Sequence, residues 1–317
     1  MATQIILEQF LIFGILALVG ALAYWRRIIT PEVRGSIAKL VIDVTLPFLI
    51  LFTFSGMEGN ETLLRNALQV FILAFIYLAG LYGMGALSSR IQRLRGARAV
   101  VHSLHTMFGN IVFLAFPLLD ALLPGGTGVF YAAVFQLASN ITLFTFGTYK
   151  LSGGQQRGSW RSMINANTIA LLLGLTIMML GISLPRPMMV AFEGIGRSTS
   201  PLSMVYIGAL LAGMNVRHEM RKASVYIVSF NKLLLGPIVL GLLTIHTLRL
   251  LGIDIAREAL IVLVMQAAMP CQTIVVVMTH RYKSDHQLAA TNLFVSTIIS
   301  IFTLPIVYFL LEWMVLL

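Results

Sequence analysis

The chain has 317 residues, 58% of them hydrophobic and 11% charged, with a mean hydropathy of +0.90. Soluble domains run at about 45–50% apolar and about 25% charged, so a soluble enzyme or nucleic-acid-binding fold of this length is excluded: it could not cover the apolar surface. A bilayer can, and the net charge of +10 is then explained by basic loops on one side of a membrane rather than by a nucleic-acid partner.

Ten apolar runs are predicted to cross as helices, at roughly 5–25, 38–57, 66–88, 99–123, 127–149, 164–183, 199–215, 224–247, 257–279 and 288–316. Each is near the ~20 residues that a hydrocarbon core of ~30 Å requires. The first run, Ile5 to Tyr24, has a signal-like Ala21-Leu22-Ala23, but it carries Glu8 at its start and the basic pair Arg26-Arg27 behind it. It reads as a retained helix, because a cleaved signal has its basic residues in front. The single cysteine, Cys271, leaves no internal disulfide.

The connecting loops fix an orientation. Arg26, Arg27, Arg34 and Lys39 follow the first span; Arg90, Arg93, Arg95 and Arg98 the third; Lys150, Arg157 and Arg161 the fifth; Arg217, Arg221 and Lys222 the seventh; Arg281 and Lys283 the ninth. The opposite loops hold only Arg65, Arg186, Arg197, Arg249 and Arg257, while Lys232 lies inside a span. The positive-inside rule puts the first set in the cytoplasm and both termini on the non-cytoplasmic side of a multi-pass cell-membrane protein.

The halves resemble each other. Pro47 and Pro201, Pro117 and Pro270, and Ala138-Ser139-Asn140 and Ala290-Thr291-Asn292 recur in order at offsets of 154, 153 and 152, and Gly56-Met57 and Gly213-Met214 close the second and seventh spans. Residues 1–150 form a first five-helix repeat and 151–317 a second. An odd number of spans per repeat inverts the second one, giving an all-α polytopic fold of ten helices in two inverted repeats, an arrangement common in secondary transporters.

Pro117 and Pro270 fall at mid-membrane. Each lacks an N–H and clashes with the carbonyl four residues back, at Phe113 and Gln266. A lone proline of this kind reads equally as a kink, but the shared repeat position favours a break, with helices four and nine crossing at the prolines. A broken helix frees N–H groups and a partial positive charge where its second half begins. Asn110, Gln266, Gln272 and Thr273 supply polar side chains around these points, and Asn140 and Asn292 sit at matching repeat positions, where they either join helices or reach the crossover. With no Arg or Lys near either proline in sequence, attraction of an anion is expected to rest on helix ends and amides.

These stretches resemble the auxin efflux carrier family, which includes plant auxin exporters and bacterial malonate- and malate-type carriers. Gly109-Asn110 followed by Pro117-Leu118-Leu119 is similar to that family's fourth helix, Gln266 to Val275 with Arg281-Tyr282 to its ninth, and Thr303-Leu304-Pro305 to its tenth. Leu202 to Met214 resembles its seventh helix, and Lys232 with Pro237 its eighth. The resemblance implies a scaffold of helices 1, 2, 6 and 7 through which two copies pair as a homodimer. It implies a mobile unit of helices 3–5 and 8–10 that moves as an elevator, and a small carboxylate held at the crossover with Asn110 as a contact. The long loop of many plant members is absent, which favours a compact carrier of the bacterial kind.

Asp43 stands where relatives often carry Asn. It reads as an i,i+4 partner of Lys39 or as an ion-coupling site. Lys232, within the eighth span, either snorkels to the interface or couples ions. His102 and His105 share a helix face without a Cys or carboxylate beside them, so neither a metal nor a cofactor is expected. No HExxH, GxSxG or glycine-rich phosphate loop is present, which argues against an enzyme. Two other readings stay open: a sodium-coupled organic-anion symporter of the bile-acid carrier type, and a non-transporting sensor that binds an anion.

Overall fold

The computed structural model describes residues 2–156, 164–216 and 219–316. Arg157, Arg161 and Arg217 of the loop tally lie outside the described residues. Among the described residues the regular structure is all helical, apart from one isolated bridge between Gly109 and Cys271. In order the helices are α1 (Ala2–Trp25), α2 (Pro31–Ser55), α3 (Glu61–Ile91), α4 (Gly96–Met107), α5 (Ile111–Leu122), α6 (Thr127–Leu151), α7 (Ala166–Met179), α8 (Arg186–Arg197), α9 (Thr199–Ala212), α10 (Ala223–Leu251), α11 (Arg257–Ala268), α12 (Thr273–Arg281) and α13 (His286–Leu316).

Six of these are long and apolar enough to cross a membrane: α1 over Glu8–Trp25, α2, α3, α6, α10, and α13 over His286–Met314; α5 and α7 are shorter apolar helices. The protein is therefore a multi-pass membrane protein. Helix α8, between the sixth and seventh expected spans, falls in a stretch expected to be a loop. Pro185 occupies its N-cap and Pro187 its first turn, where a proline's missing N–H costs no intrahelical bond, and the helix closes at Arg197. Its Phe192 packs edge-on against Phe48 of α2, with centroids 4.8 Å apart.

Three prolines are absorbed without a break. Pro47, Pro117 and Pro237 each follow a π-helical turn, at Val41–Thr45, Ile111–Ala115 and Asn231–Leu235. A proline cannot donate to the carbonyl four residues back and clashes with it, and a wider turn with i→i+5 bonds relieves both faults. The Leu46 N–H accordingly donates to the Val41 carbonyl, and the Gly236 N–H to the Asn231 carbonyl.

The chain divides into two compact units, each drawing on both sequence halves. The first comprises 1–68, 112–134 and 164–214; the second 69–111, 135–163 and 215–317. Within the first, α1 and α9 meet backbone to backbone. A Cβ on Gly20 would stand 2.0 Å from the Val205 carbonyl oxygen, and one on Gly208 1.7 Å from that of Ala17. Small residues permit such contacts in lipid, where dispersion rather than water exclusion holds helices together. Helix α2 packs beside them on α7 and α8.

Within the second unit, α13 packs along α10, α11 and α12. One cluster of its core consists of Leu78, Leu104, Met107, Phe108, Leu143, Leu151, Val275 and Met278, drawn from four separate stretches of the sequence.

Candidate substrate site at a helix crossover

The second unit contains two helix interruptions that face each other. Helix α4 ends at Met107, Phe108 turns to extended backbone, and α5 begins at Ile111. Helix α11 ends at Ala268, Met269 is extended, and α12 begins at Thr273. The interruptions run antiparallel: Gly109 bridges Cys271, and the Asn110 N–H donates to the Pro270 carbonyl at 2.7 Å. Glycine is what allows this approach. A Cβ at position 109 would lie 2.9 Å from the Met269 Cβ and 3.1 Å from the Gln266 carbonyl oxygen.

The two prolines stand differently to these interruptions. Pro270 lies in its break. Pro117 does not: it sits near the start of a helical stretch, Phe116–Leu122, that continues the π turn Ile111–Ala115. The π turn takes up the missing hydrogen bond, and the break falls seven residues earlier, at Asn110. Pro117 also belongs to the first compact unit, as does Asp43. All the other expected site residues, Asn110, Asn140, Lys232, Gln266, Pro270, Gln272, Thr273 and Asn292, belong to the second.

These side chains are buried, and several have polar atoms without partners among the described residues: both amide atoms of Gln266 and of Asn292, the Gln272 Oε1 and the Thr273 Oγ1. A buried amide left unpaired costs ~1–3 kcal/mol, so such a concentration points to polar groups that engage something else in the working protein. Helix α12 adds free N–H groups, because Gln272 at its N-cap makes no side-chain capping bond. A helix start of this kind favours an anion.

Two expectations about charge are corrected. A lysine does lie at the crossover. Lys232, 1% exposed, donates from Nζ to the Met107 carbonyl at 3.2 Å and stands 3.4 Å from the Cβ position of Gly109. It does not snorkel, because the π turn Asn231–Leu235 directs it into the unit. No Asp or Glu among the described residues pairs with it. Asp43 forms no ion pair with Lys39: the π turn Val41–Thr45 begins between them and shifts the i,i+4 phase, leaving both residues exposed.

Further contributors are Ser296, Asn231 and Ser88, which carried no sequence signal, and the two histidines of α4, which the sequence raises only as a metal pair. Ser296 accepts from the Cys271 N–H at 3.0 Å. His105 is fully buried with both ring nitrogens unpartnered among the described residues, and its carbonyl accepts from the Cys271 thiol. Asn231 donates to Ser88 at 2.9 Å, and Ser88 pairs with His102 Nε2 at 2.7 Å, which ties α10 to α3 and α4 beside Lys232. A cavity of 590 Å³ lies in the first unit, lined by residues that include Thr53, Gly56, Asp120, Arg197 and Ser200, none of them expected at the site.

The family model described as membrane transport protein matches residues 5–158 and 155–308, which together run nearly the length of the chain. The chain belongs to the auxin efflux carrier family of membrane transport proteins. No curated protein matches it.

Proposed function

We propose that this family member is a secondary transporter of small carboxylate anions, of the compact bacterial malonate and malate type, and not an enzyme. The observation that carries the reading is the meeting of Asn110 and Pro270, where the uncapped start of α12 and a buried lysine without an acidic partner among the described residues lie in one unit. A carboxylate brings the charge that Lys232 lacks and accepts hydrogen bonds from the amides of Asn110, Gln266 and Gln272. Asn140 and Asn292 complete the polar lining.

The architecture that goes with this reading has ten transmembrane helices in two inverted repeats. Spans four and nine are the α4–α5 and α11–α12 pairs. The helices expected to form the scaffold, α1, α2, α7 and α9, all fall in the first compact unit; of those expected to move, α4 and α10–α13 fall in the second, α5 falls almost wholly in the first, and α3 and α6 are divided between them. The second unit is the substrate carrier of an elevator in this reading. Two copies would pair through the scaffold helices in the cell membrane, with both termini on the non-cytoplasmic side.

A potential of ~100 mV, negative inside, is worth roughly 2.3 kcal/mol per charge and favours monoanion exit without a coupling ion. The test is counterflow of labelled malonate and malate in proteoliposomes. Flux is expected for wild type and a strong loss for Gln272→Ala. Saturable binding without flux would make the protein a sensor, and absence of both binding and flux would remove carboxylates.

A further inference from the structure

The Lys232 ammonium sits where two helix C-termini converge. The Met107 carbonyl, which accepts from it at 3.2 Å, is the last of α4. The Gln266 carbonyl, in the last turn of α11, lies 3.1 Å from the Cβ position of Gly109, and Lys232 Nζ lies 3.4 Å from that same point. Helix C-termini carry partial negative charge and unspent carbonyl oxygens. Transporters built from inverted repeats use such half-helix ends and unwound carbonyls to hold a coupling Na⁺. The crossover thus has the electrostatics of a monovalent cation site, and a tethered cation already stands at its edge.

We infer that Lys232 takes the place of a coupling metal cation, so that the carrier works without Na⁺ and a latent Na⁺ site opens when the ammonium is removed. This deepens the carboxylate reading, since it supplies that site's counter-charge, but its test needs no substrate. The geometry excludes an ordinary structural ion pair: no carboxylate among the described residues reaches Lys232, and its titratable neighbours are the Cys271 thiol and His105. A lysine buried at this depth is costly unless its charge is answered. Here the last carbonyl of one helix, Met107, answers it, and the Gln266 carbonyl near the end of a second lies close to the same point beside Gly109.

The experiment is thermal melting of the purified protein in NaCl, LiCl, KCl and choline chloride at equal ionic strength. Wild type and Lys232→Arg should melt at the same temperature in all four salts. Lys232→Ala and Lys232→Gln should melt lower in choline and recover about 3 °C or more in Na⁺ or Li⁺, the signature of a site filled at several times its Kd. Overturning results are a Na⁺-specific rise in wild type, or neutral variants that fold but respond to no alkali cation. Should the neutral variants fold in no salt, ²²Na⁺ uptake by wild-type vesicles decides, with malonate and malate present. No uptake above protein-free vesicles supports the inference, and uptake overturns it. A sodium-blind wild type with sodium-responsive neutral variants would stand even if carboxylates proved to be the wrong substrates.

Discussion

The Asn110 backbone N–H and the Pro270 carbonyl, 160 residues apart in sequence, are joined by a 2.7 Å hydrogen bond at the point where two interrupted helices meet. This bond requires close backbone approach, and Gly109 provides it: an added Cβ would press on the Met269 Cβ at 2.9 Å. Gly109→Ala should therefore lower the melting temperature by roughly 3–10 °C, the range expected for one overpacked methyl. Gly109→Val should cost more, and anion binding should weaken in both. An alanine variant that melts and binds as wild type would mean that the strands of the crossover part freely.

The two mid-membrane prolines should not be equivalent. Pro270→Ala adds an N–H to a buried break, where an unpaired donor costs ~1–3 kcal/mol. Pro117→Ala adds one within a helical stretch already accommodated by the π turn Ile111–Ala115, where it can find a carbonyl. Flux and stability should fall clearly for Pro270→Ala and little for Pro117→Ala. Equal losses, measured side by side in proteoliposomes and by thermal melting, would refute the assignment of the break to Asn110.

The contrast shows what the sequence conveys and what it does not. Apolar runs mark the long helices well: the eighth span, expected at 224–247, is observed as Ala223–Leu251. Proline marks a defect in the hydrogen-bond ladder but not its form, so a π turn and a break carry the same signature. The true signal of the first break is Gly109-Asn110 in an otherwise apolar run, a glycine just past a helix end. The partner of Lys232 was illegible for another reason. It is a backbone carbonyl 125 residues away, and every residue type has one. Asp43 failed through phase, since one π turn moves an i+4 neighbour off its face.

Topology offers a separate test. Cysteine at Gln155, in the loop after α6, and cysteine at Glu58, in the loop after α2, should lie on opposite sides of the membrane by the distribution of loop cations. Both positions are exposed, and the native Cys271 is buried and should stay silent. An impermeant maleimide added to intact cells should label Glu58→Cys and spare Gln155→Cys. The reverse pattern would turn the protein over in the membrane.

A charged network outside the spans sets a pH dependence. Glu219 receives Arg98 Nη2 at 2.5 Å and also Lys222, and Arg98 Nε lies 3.6 Å from Asp285. Partial burial works against the Glu219 carboxylate, but the Lys222 hydrogen bond and the Arg98 and Lys222 charges outweigh it and hold its pKa below the usual range. A depressed pKa stabilises the fold above the unfolded value, about 4.3, and the gain is lost as pH falls through the lower folded value. Glu219→Gln should melt about 2–4 °C below wild type at pH 7, and the gap should close as pH approaches about 4. A gap that stays constant with pH would assign Glu219 a packing role only.

The last prediction separates hydrogen bonding from charge at the crossover. Asn110→Ala removes an amide that can donate to a carboxylate, which should weaken binding roughly 3- to 100-fold. Asn110→Asp is nearly isosteric but adds a negative charge in a weakly screened unit. That charge repels the substrate and also answers the Lys232 ammonium, whose Nζ stands only 3.4 Å from the Cβ position of the adjacent Gly109. Both effects act against the carboxylate, so the aspartate variant should bind at least about tenfold more weakly than the alanine variant. Lys232→Gln in the Asn110→Asp background should then restore little, because the repulsion remains after the counter-charge is gone. Titration of each variant with malonate by isothermal calorimetry gives the three constants. If aspartate and alanine lose the same affinity, the Asn110 side chain does not face the anion, and only its backbone N–H serves the site.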